Sequence, residues 1–332
     1  MYRFTTLIVG GIETLRCENR KNGTFIEIFP GLGGTIHRIG LKDPKGEGVL
    51  NILTCDSHKE ILENPWFRGR FLFPFNDRIP GGLYSFEGRQ YCLPINEPET
   101  GDAIHGSIYN KPVQNLKTEI VTGMKNGTGK SEFSAVIRWD IEGGPGEGYP
   151  FKPVLSVKLL FSGDSLTLSF TVRNRGETPL PFSLGWHPYF NLTPADARGG
   201  GVDHLMLSIP AGRYIEVDRK LLPTGKLFPL AGGEYDFSHS RRIGRGALDL
   251  GFSMLDGDVI LSDGERRLVV RQGKKSFPYL QAFIPPGRGS IALEPVSAGT
   301  NAFNRPNLGL NTLKPGSEWS GWFSVGLYSS RV

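Results

Sequence analysis

Three segments of the sequence place polar side chains among aromatic residues and prolines. Residues 70–80 read Arg-Phe-Leu-Phe-Pro-Phe-Asn-Asp-Arg-Ile-Pro, and a His-Gly pair follows at residues 105–106. Residues 184–192 read Leu-Gly-Trp-His-Pro-Tyr-Phe-Asn-Leu, and residues 291–304 contain a Glu-Pro pair. Aromatic rings offer flat apolar faces to sugar C–H groups, while Arg, Asn, Gln and carboxylates suit hydroxyl groups. The three segments therefore predict the walls of a sugar pocket.

Two residues in these segments, His187 and Glu294, are suited to proton transfer. Each precedes a proline, which favours an extended backbone. In a strand, Glu294 points to the opposite face from Ile291 and Leu293, so it need not enter the same core. Apolar surroundings raise the pKa of a carboxyl group, and histidine titrates near neutrality. The two residues predict a base and an acid, although a surface ion pair for Glu294 and a packing role for His187 are open alternatives.

The order and content of these motifs resemble the aldose 1-epimerase (galactose mutarotase) family. Members of that family carry Asn-Arg-Ile, His-Gly, His-Pro-Tyr-Phe-Asn-Leu and Glu-Pro motifs in this order, and the matches here run from about residue 73 to residue 304. The resemblance implies a large antiparallel β-sandwich with a site on a concave face, and a reaction without metal or cofactor. It also implies that Glu294 is the general base on the C1 hydroxyl of a pyranose and that His187 protonates the ring oxygen.

The resemblance further implies a set of sugar-binding residues, each matched to one family position. Two belong to the Asn-Arg motif, one to the His-Gly pair, one to an aspartate three positions before a phenylalanine, and one to a glutamine ahead of the glutamate strand. In that order they are Asn76, Arg78, His105, Asp249 and Gln281.

The sequence departs from the family pattern at two of these motifs. Asp77 stands between Asn76 and Arg78, where we expect it either to shift Arg78 or to form a small β-bulge. Leu and Gly follow Asp249, where the family has polar residues. These departures bear on substrate preference more than on reaction type.

Alternation of apolar and polar residues dominates the rest of the chain and is typical of strands with one buried face. The strand-like runs are residues 133–141, 155–161, 166–173 and 322–328. Residues 162–165 separate two such runs and predict a hairpin, whereas residues 57–63 predict one short helix. Short strands without intervening helices favour an all-β sandwich or barrel, which we expect to form a single domain over residues 1–332.

Composition excludes several classes of protein. The net charge of +5 is mild, and no nucleic-acid motif accompanies the basic clusters, so we expect no nucleic-acid partner. No apolar stretch approaches the roughly 18 residues of a membrane span, so the cytoplasm is the expected location. Cys17, Cys55 and Cys92 lack metal or disulfide spacing. Residues 127–131 only partly match a phosphate-binding loop, and a surface hairpin is expected there.

The favoured function is the interconversion of α and β anomers of a free aldose such as glucose or galactose. The expected binding partner is this small sugar substrate, and the protein is expected to be a monomer or a homodimer. A relative that acts on a hexose 6-phosphate is the first alternative, with Arg68, Arg70 and Arg78 as the candidate phosphate cradle. A glycosidase would pair Glu294 with Asp249 or Asp77 across the scissile bond. A sugar-binding protein without turnover would not need both Glu294 and His187.

Overall fold

The computed structural model describes residues 1–46, 48–54, 57–63, 65–125, 131–192 and 201–330. Cys55 and residues 127–130 of the expected surface hairpin lie outside the described residues. Cys17 is buried and Cys92 is exposed, and both are thiols.

Strands make up most of the described chain. The strands of the first half are β1 (Tyr2–Val9), β2 (Ile12–Asn19), β3 (Phe25–Phe29), β4 (Thr35–Lys42), β5 (Val49–Asn51), β6 (Phe71–Leu72), β7 (Arg78–Ile79), β8 (Leu83–Phe86), β9 (Arg89–Cys92), β10 (Ala103–Ile104), β11 (Gln114–Lys125), β12 (Ser131–Glu142), β13 (Pro153–Phe161) and β14 (Ser165–Asn174). The strands of the second half are β15 (Leu180–Phe182), β16 (Gly185–Trp186), β17 (Tyr189–Phe190), β18 (Met206–Ser208), β19 (Ala211–Val217), β20 (Pro223–Pro229), β21 (Arg241–Arg242), β22 (Asp249–Leu255), β23 (Val259–Ser262), β24 (Arg266–Gln272), β25 (Tyr279–Phe283), β26 (Ile291–Val296), β27 (Asn311–Leu313) and β28 (Glu318–Ser329).

Helical structure is confined to short pieces in the described ranges. The helix α1 (His58–Glu63) confirms the short helix predicted for residues 57–63. Ser57 begins it with a capping box, because its hydroxyl accepts a hydrogen bond from the Glu60 backbone N–H at 3.4 Å and its own N–H donates to the Glu60 carboxylate at 2.9 Å. Turns of 3₁₀ helix cover Pro80–Gly82, Val202–His204 and Pro306–Leu308. None of these helices is long and apolar enough to cross a membrane.

Three extended sheets are built from these strands. The nine-stranded sheet has the order β11-β12-β13-β14-β28-β24-β23-β18-β21, and the eight-stranded sheet has the order β20-β19-β22-β25-β26-β16-β6, with β17 also paired to β26. Strands β1 to β5 form a third sheet in sequence order. The pairings between these strands are antiparallel, and β13 and β14 form the hairpin predicted at residues 162–165.

The alternation in the sequence sets which face of the nine-stranded sheet is buried. In β14, Leu166, Leu168, Phe170 and Val172 are each at most 2% exposed, and the residues between them are half-buried. Phe133 at the start of the predicted run 133–141 differs, since it is 44% exposed. It lies near the start of β12.

Aromatic residues fill the space between the two large sheets. Phe170 of β14 meets the ring of Phe71 in β6 at 5.8 Å, and Trp186 of β16 stacks on Phe323 of β28 at 5.6 Å. Such pairs contribute about 0.5–1.5 kcal/mol each beyond the burial of their area. The chain is therefore an all-β sandwich, as the sequence predicted.

Candidate active site

A cavity of about 320 Å³ lies on the eight-stranded sheet, on the face turned away from the nine-stranded sheet. Alternation puts its floor there, because Leu250, Leu280 and Leu293 point into the core and their neighbours point the other way. Six of the seven residues that the sequence analysis assigned to the site line this cavity: Arg78, His105, His187, Asp249, Gln281 and Glu294. Aromatic side chains form much of the remaining wall: Trp66, Phe67, Tyr189 and Phe283.

The floor is a row of residues that lie opposite one another on three neighbouring strands. Gly251 of β22 faces Gln281 of β25, which in turn faces Glu294 of β26. The Gln281 side-chain nitrogen donates to the Asp249 carboxylate at 2.8 Å. A Cβ at Gly251 would lie 3.2 Å from the Gln281 side-chain oxygen. The glycine that departs from the family pattern thus leaves room for Gln281 to reach Asp249.

The two residues assigned to proton transfer meet in this cavity. His187 Nε2 lies 3.5 Å from Glu294 Oε1, and both side chains are at least nine-tenths buried. The His187 ring stacks on Tyr189, with ring centres 4.9 Å apart and an angle of 4° between planes. The His187 backbone is fixed as well, because its N–H donates to the Arg70 carbonyl and its carbonyl accepts from the Gly69 N–H. The imidazole is therefore held in one orientation beside the carboxyl group.

Burial shifts the two pKa values in opposite directions. It raises the pKa of Glu294 well above its ordinary value, and the nearby carboxylates of Asp77 and Asp249 raise it further, against the opposing effect of Arg78. Burial also lowers the pKa of His187, to about 3. The pair therefore favours its uncharged arrangement, with one proton on Glu294 and His187 as a neutral imidazole.

His105 is fixed by its backbone and by a neighbouring backbone N–H. The Asp77 N–H donates to His105 Nδ1 at 3.1 Å, so the ring carries its proton on Nε2. His105 itself has a φ of 62°, and its ring meets the Phe67 ring edge to face, with ring centres 4.7 Å apart. Burial lowers its pKa well below the ordinary value, with a further effect of the nearby His187. His105 is thus a neutral hydrogen-bond donor in the cavity wall.

Arg78 is held by a carboxylate that the sequence analysis did not single out. Its Nε and Nη2 donate to the two carboxylate oxygens of Glu97 at 2.7 and 2.8 Å, and its Nη1 lies 3.6 Å from Asp77 Oδ1. Burial lowers the pKa of Arg78, but its hydrogen bonds to Glu97 and the negative charges of Asp77, Glu97 and Asp249 together outweigh burial and raise the pKa above its ordinary value. The guanidinium is charged and fixed in direction.

Asp77, the residue inserted into the Asn-Arg motif, makes a turn ahead of β7 instead of a bulge within it. It has a φ of 57°, and strand pairing begins only at Arg78, which faces Ile104 in a regular register. Its carboxylate accepts hydrogen bonds from the Arg78 N–H at 2.8 Å and from the Thr300 hydroxyl. Asp77 therefore lines the cavity and places Arg78 there. The inserted residue forms a turn, in place of the shift of Arg78 or the β-bulge that the sequence suggested.

Asn76 is the one assigned residue that does not line the cavity. Its side-chain nitrogen donates to the Ala298 carbonyl at 2.9 Å, and its backbone N–H donates to the Ser183 hydroxyl at 3.0 Å. The first bond ties the segment after β6 to the segment after β26, and the second ties it to the residue that follows β15. Asn76 thus positions the chain beside the site, in a small neighbouring pocket that Gln281 and Glu294 also line, and its contact with sugar stays a prediction.

Asp249 has the most strongly shifted pKa of the remaining carboxyl groups in the cavity. Burial raises the pKa of Asp249 to about 6, and the charge of Asp77 adds to this, while Arg78 and the hydrogen bond from Gln281 oppose it. Asp249 can therefore accept or donate hydrogen bonds to a hydroxyl group, depending on pH.

Two arginines of the expected phosphate cradle lie outside the cavity wall. Arg70 is 1% exposed, and its guanidinium donates to the Thr35 hydroxyl and to the carbonyls of Tyr109 and Ile61. Arg68 lies over the Tyr189 ring at 5.2 Å. Arg70 is therefore held in the interior, whereas Arg68 is close enough to the cavity for its charge to help lower the pKa of His187.

Comparison with known proteins agrees with the sequence motifs and the geometry. The family model described as aldose 1-epimerase matches residues 18–326. The chain belongs to the aldose 1-epimerase family. Among relatives of this family member, the uncharacterized protein YihR of Escherichia coli is 26% identical over 247 residues, which cover 71% of each chain. Human galactose mutarotase is 24% identical over 237 residues, or 71% of this chain and 64% of that protein.

Solved structures share the fold of this aldose 1-epimerase family member over nearly its whole length. A galactose mutarotase-like protein of Clostridium acetobutylicum superposes with a TM-score of 0.80 at 21% identity, covering 98% of both chains. The galactose 1-epimerase of Lactobacillus acidophilus superposes with a TM-score of 0.74 at 17% identity, covering 99% of both chains. The sandwich predicted from the motifs is thus the fold of this family.

Sequence reasoning missed several residues that shape the cavity of the family member. Glu97 lies in a loop with no motif around it. Its bridge to Asp102, next to β10, and the pairing of β10 with β7 bring it to Arg78. Thr300 lies inside the third segment, residues 291–304, so the sequence placed it near the site. Its hydrogen bond to Asp77 could not be predicted from the sequence. Trp66 and Phe67 lie just before residues 68–69, which separate them from the first segment, and could have been included with it.

Proposed function

We propose that this chain is an aldose 1-epimerase that interconverts the α and β anomers of a free, uncharged aldose such as glucose or galactose. The observation that carries the proposal is the buried contact of 3.5 Å between His187 Nε2 and Glu294 Oε1 inside a cavity of about 320 Å³. The cavity supplies hydrogen-bonding groups for hydroxyls and aromatic faces for C–H groups, which a pyranose requires.

The reaction needs one proton on the pair. In ring opening, ionised Glu294 takes the proton of the C1 hydroxyl while protonated His187 donates to the ring oxygen, so the C1–O5 bond breaks and the aldehyde forms. The C1–C2 bond then rotates. In ring closure Glu294 returns its proton to the C1 oxygen and His187 takes the proton from the C5 hydroxyl. The uncharged pair that burial favours is the arrangement that closure uses, and transfer of one proton from Glu294 to His187 gives the arrangement that opening uses.

The charges in the cavity favour an uncharged sugar over a hexose 6-phosphate. Four carboxyl groups, those of Asp77, Glu97, Asp249 and Glu294, line the described wall with a single arginine, and that arginine is paired with Glu97. Arg70 is turned away into the interior. A phosphate would therefore meet the carboxylates of Asp77 and Glu97, in a wall whose one arginine is already paired.

A histidine in contact with the catalytic carboxyl group also favours an epimerase over a glycosidase. The glycosidase reaction commonly uses two carboxyl groups on opposite sides of the scissile bond. Here the neighbour of Glu294 is His187, whose stacking on Tyr189 fixes the ring for proton transfer. A binding protein without turnover has no need of that pair.

Polarimetry of freshly dissolved α-D-glucose and α-D-galactose tests the proposal. We expect the protein to speed the approach to an unchanged final rotation. Glu294→Gln keeps the shape of the side chain but removes the proton acceptor, so we expect it to lower kcat by about 10²–10⁴-fold. Glu99→Gln, which removes an exposed carboxylate, is the matched control and should keep the wild-type rate. A wild-type rate in Glu294→Gln would contradict the assignment of the base, and no acceleration by the wild type with either sugar would contradict the function.

A further inference from the structure

Glu97 determines which nitrogen atoms of Arg78 a ligand can reach. A guanidinium has five N–H donors in a planar fork. Glu97 takes one from Nε and one from Nη2, in the two-point geometry that fixes both position and plane. Nη1 makes no hydrogen bond to Glu97 and lies 3.6 Å from Asp77 Oδ1. The two N–H groups of Nη1 and the second N–H group of Nη2 are thus left for a ligand in the cavity that Arg78 lines.

The loop that carries Glu97, residues 93–102, is itself well anchored. The Glu97 N–H donates to the Asp102 carbonyl at 3.1 Å, and the Glu97 carbonyl accepts from the Gly101 N–H at 3.0 Å. The Thr100 hydroxyl donates to Glu97 Oε2 at 2.6 Å, and the Asp102 carboxylate accepts from the Gly81 N–H at 3.0 Å. The carboxylate is therefore placed before any ligand arrives, and the contact with Arg78 is part of the built site.

The contact also removes the positive charge that an anionic ligand would use. Burial raises the pKa of Glu97, but the hydrogen bonds from Arg78 and Thr100 outweigh it and lower the pKa below the ordinary value, so Glu97 is ionised at neutral pH. The neighbouring charged group of the same wall is a further carboxylate, Asp77. Arg78 is consequently a donor to hydroxyl groups in a wall without net positive charge.

We propose that Glu97 is a specificity-determining residue, which orients Arg78 toward sugar hydroxyls and, by cancelling its charge, excludes aldoses that carry a phosphate or carboxylate. This inference rests on the proposed function, because it concerns the substrate class of the same cavity. It assigns to Glu97 a role that acts through Arg78, without contact with the reacting atoms.

Binding of D-glucose and D-glucose 6-phosphate, measured by calorimetry on the whole protein, separates this role from turnover. The two sugars differ only in the phosphate. We expect the wild type to prefer glucose, and Glu97→Gln, which keeps the shape and removes the charge, to shift the ratio of the two affinities toward glucose 6-phosphate on the order of tenfold. The shift should shrink as the salt concentration rises, because screening weakens interactions between charges.

Two further variants distinguish charge from loop structure. Glu97→Asp keeps the charge but shortens the side chain, so it should keep the wild-type preference even if its affinity for glucose falls. Glu99→Gln removes an exposed charge from the same loop and should leave the ratio unchanged. Equal affinity ratios in wild type and Glu97→Gln would overturn the inference, as would an equal shift in Glu97→Asp. Binding of glucose without any mutarotation would refute the proposed function and leave the ratios as the test of Glu97, whereas binding of neither sugar by any variant would overturn both.

Discussion

Glu294 and His187 lie in surroundings that favour the uncharged form of each side chain. Burial raises the pKa of Glu294 and lowers the pKa of His187 to about 3. The pair holds one proton between these two values, two protons below them and none above them. Because acid and base catalysis need one proton on the pair, the pKa values set the pH range of activity.

We expect kcat/KM to fall as pH rises through the raised pKa of Glu294, by about tenfold for each further pH unit, since the pair then has no proton to donate. Below that pKa the pair keeps its single proton until the pH approaches about 3, the pKa of His187. The acid side of the profile should therefore stay flat while the protein is folded. Mutarotation rates from pH 4 to pH 9 in weakly catalytic buffers check this shape.

Asp249→Asn tests whether ionisation of Glu294 causes the fall in kcat/KM at high pH, the alkaline limb of the profile. The carboxylate of Asp249 helps to raise the pKa of Glu294, so its removal should move the alkaline limb to lower pH. Its other neighbours, Asp77 and Arg78, are unchanged. An alkaline limb at the same pH in wild type and variant would argue against Glu294 as the titrating group.

At the scale of residues, the sequence could predict which side chains share the cavity but not their protonation. The motif around His187 and the pair Glu294-Pro295 were recognisable because both combine chemistry with a fixed spacing. The uncharged state of the pair depends on complete burial and on Asp77 and Asp249 nearby, which lie far away in the chain. The same reason explains why Glu97 was missed.

The loop that follows β10 carries His105. His105 and Gly106 have φ values of 62° and 75°, and a Cβ at Gly106 would lie 2.2 Å from the Phe73 carbonyl oxygen. The Ser107 N–H donates to that same carbonyl at 2.9 Å. This close approach of two backbone segments sets the position of His105 relative to the Asn-Arg motif.

Gly106→Ala should therefore displace His105 and lower both stability and kcat/KM. Gly88→Ala is a matched control, because Gly88 has a φ of 76° and a Cβ there would meet nothing within 4 Å. Both variants carry the roughly 1–2 kcal/mol of the left-handed conformation, and only Gly106→Ala adds the overlap with backbone. Thermal unfolding and mutarotation rates of the two variants check this. Equal losses in both would show that the contact with Phe73 is unimportant.

Elements were predictable where they alternate and unpredictable where they are short. The runs in β12, β14 and β28 were visible from their period of two, because each has one buried face. Strands of two residues such as β7 and β10 carry no such pattern. Their pairing depends on the turn at Asp77, whose left-handed backbone the sequence did not reveal.

For the whole molecule, the buried Glu294 links stability to pH. Its pKa is higher in the folded chain than in the unfolded chain, so the folded state binds the proton more tightly. This contribution to stability is fully present below the ordinary pKa of a glutamate and is lost as pH rises through the raised value, at up to about 1.4 kcal/mol per pH unit.

Glu294→Gln removes that dependence, so we expect the variant to be more stable than the wild type at pH 8 and nearly equal to it at pH 4.5. Thermal unfolding at a series of pH values between these limits measures the difference. Glu99→Gln, with an exposed carboxylate, should follow the wild type at each pH. A difference in stability that does not change with pH would contradict the raised pKa of Glu294 in the folded protein.

The overall fold was more predictable than the site because it depends on patterns that repeat. Alternation and the absence of long helical runs predicted an all-β sandwich, and the motifs predicted its family. The order of strands in the eight-stranded sheet was not predictable, since β6, β16 and β26 meet there from three distant parts of the chain. The side-by-side pairing of these three strands brings the three polar segments together.

The contact between Glu294 and His187 also determines whether the site must exchange protons with bulk water. In the proposed cycle, ring opening moves one proton onto Glu294 and one off His187, and ring closure returns both. Each conversion of an anomer therefore ends with every proton back on its original group, without supply from solvent. A pair that is at least nine-tenths buried can turn over repeatedly for this reason, because its isolation from water does not interrupt the cycle.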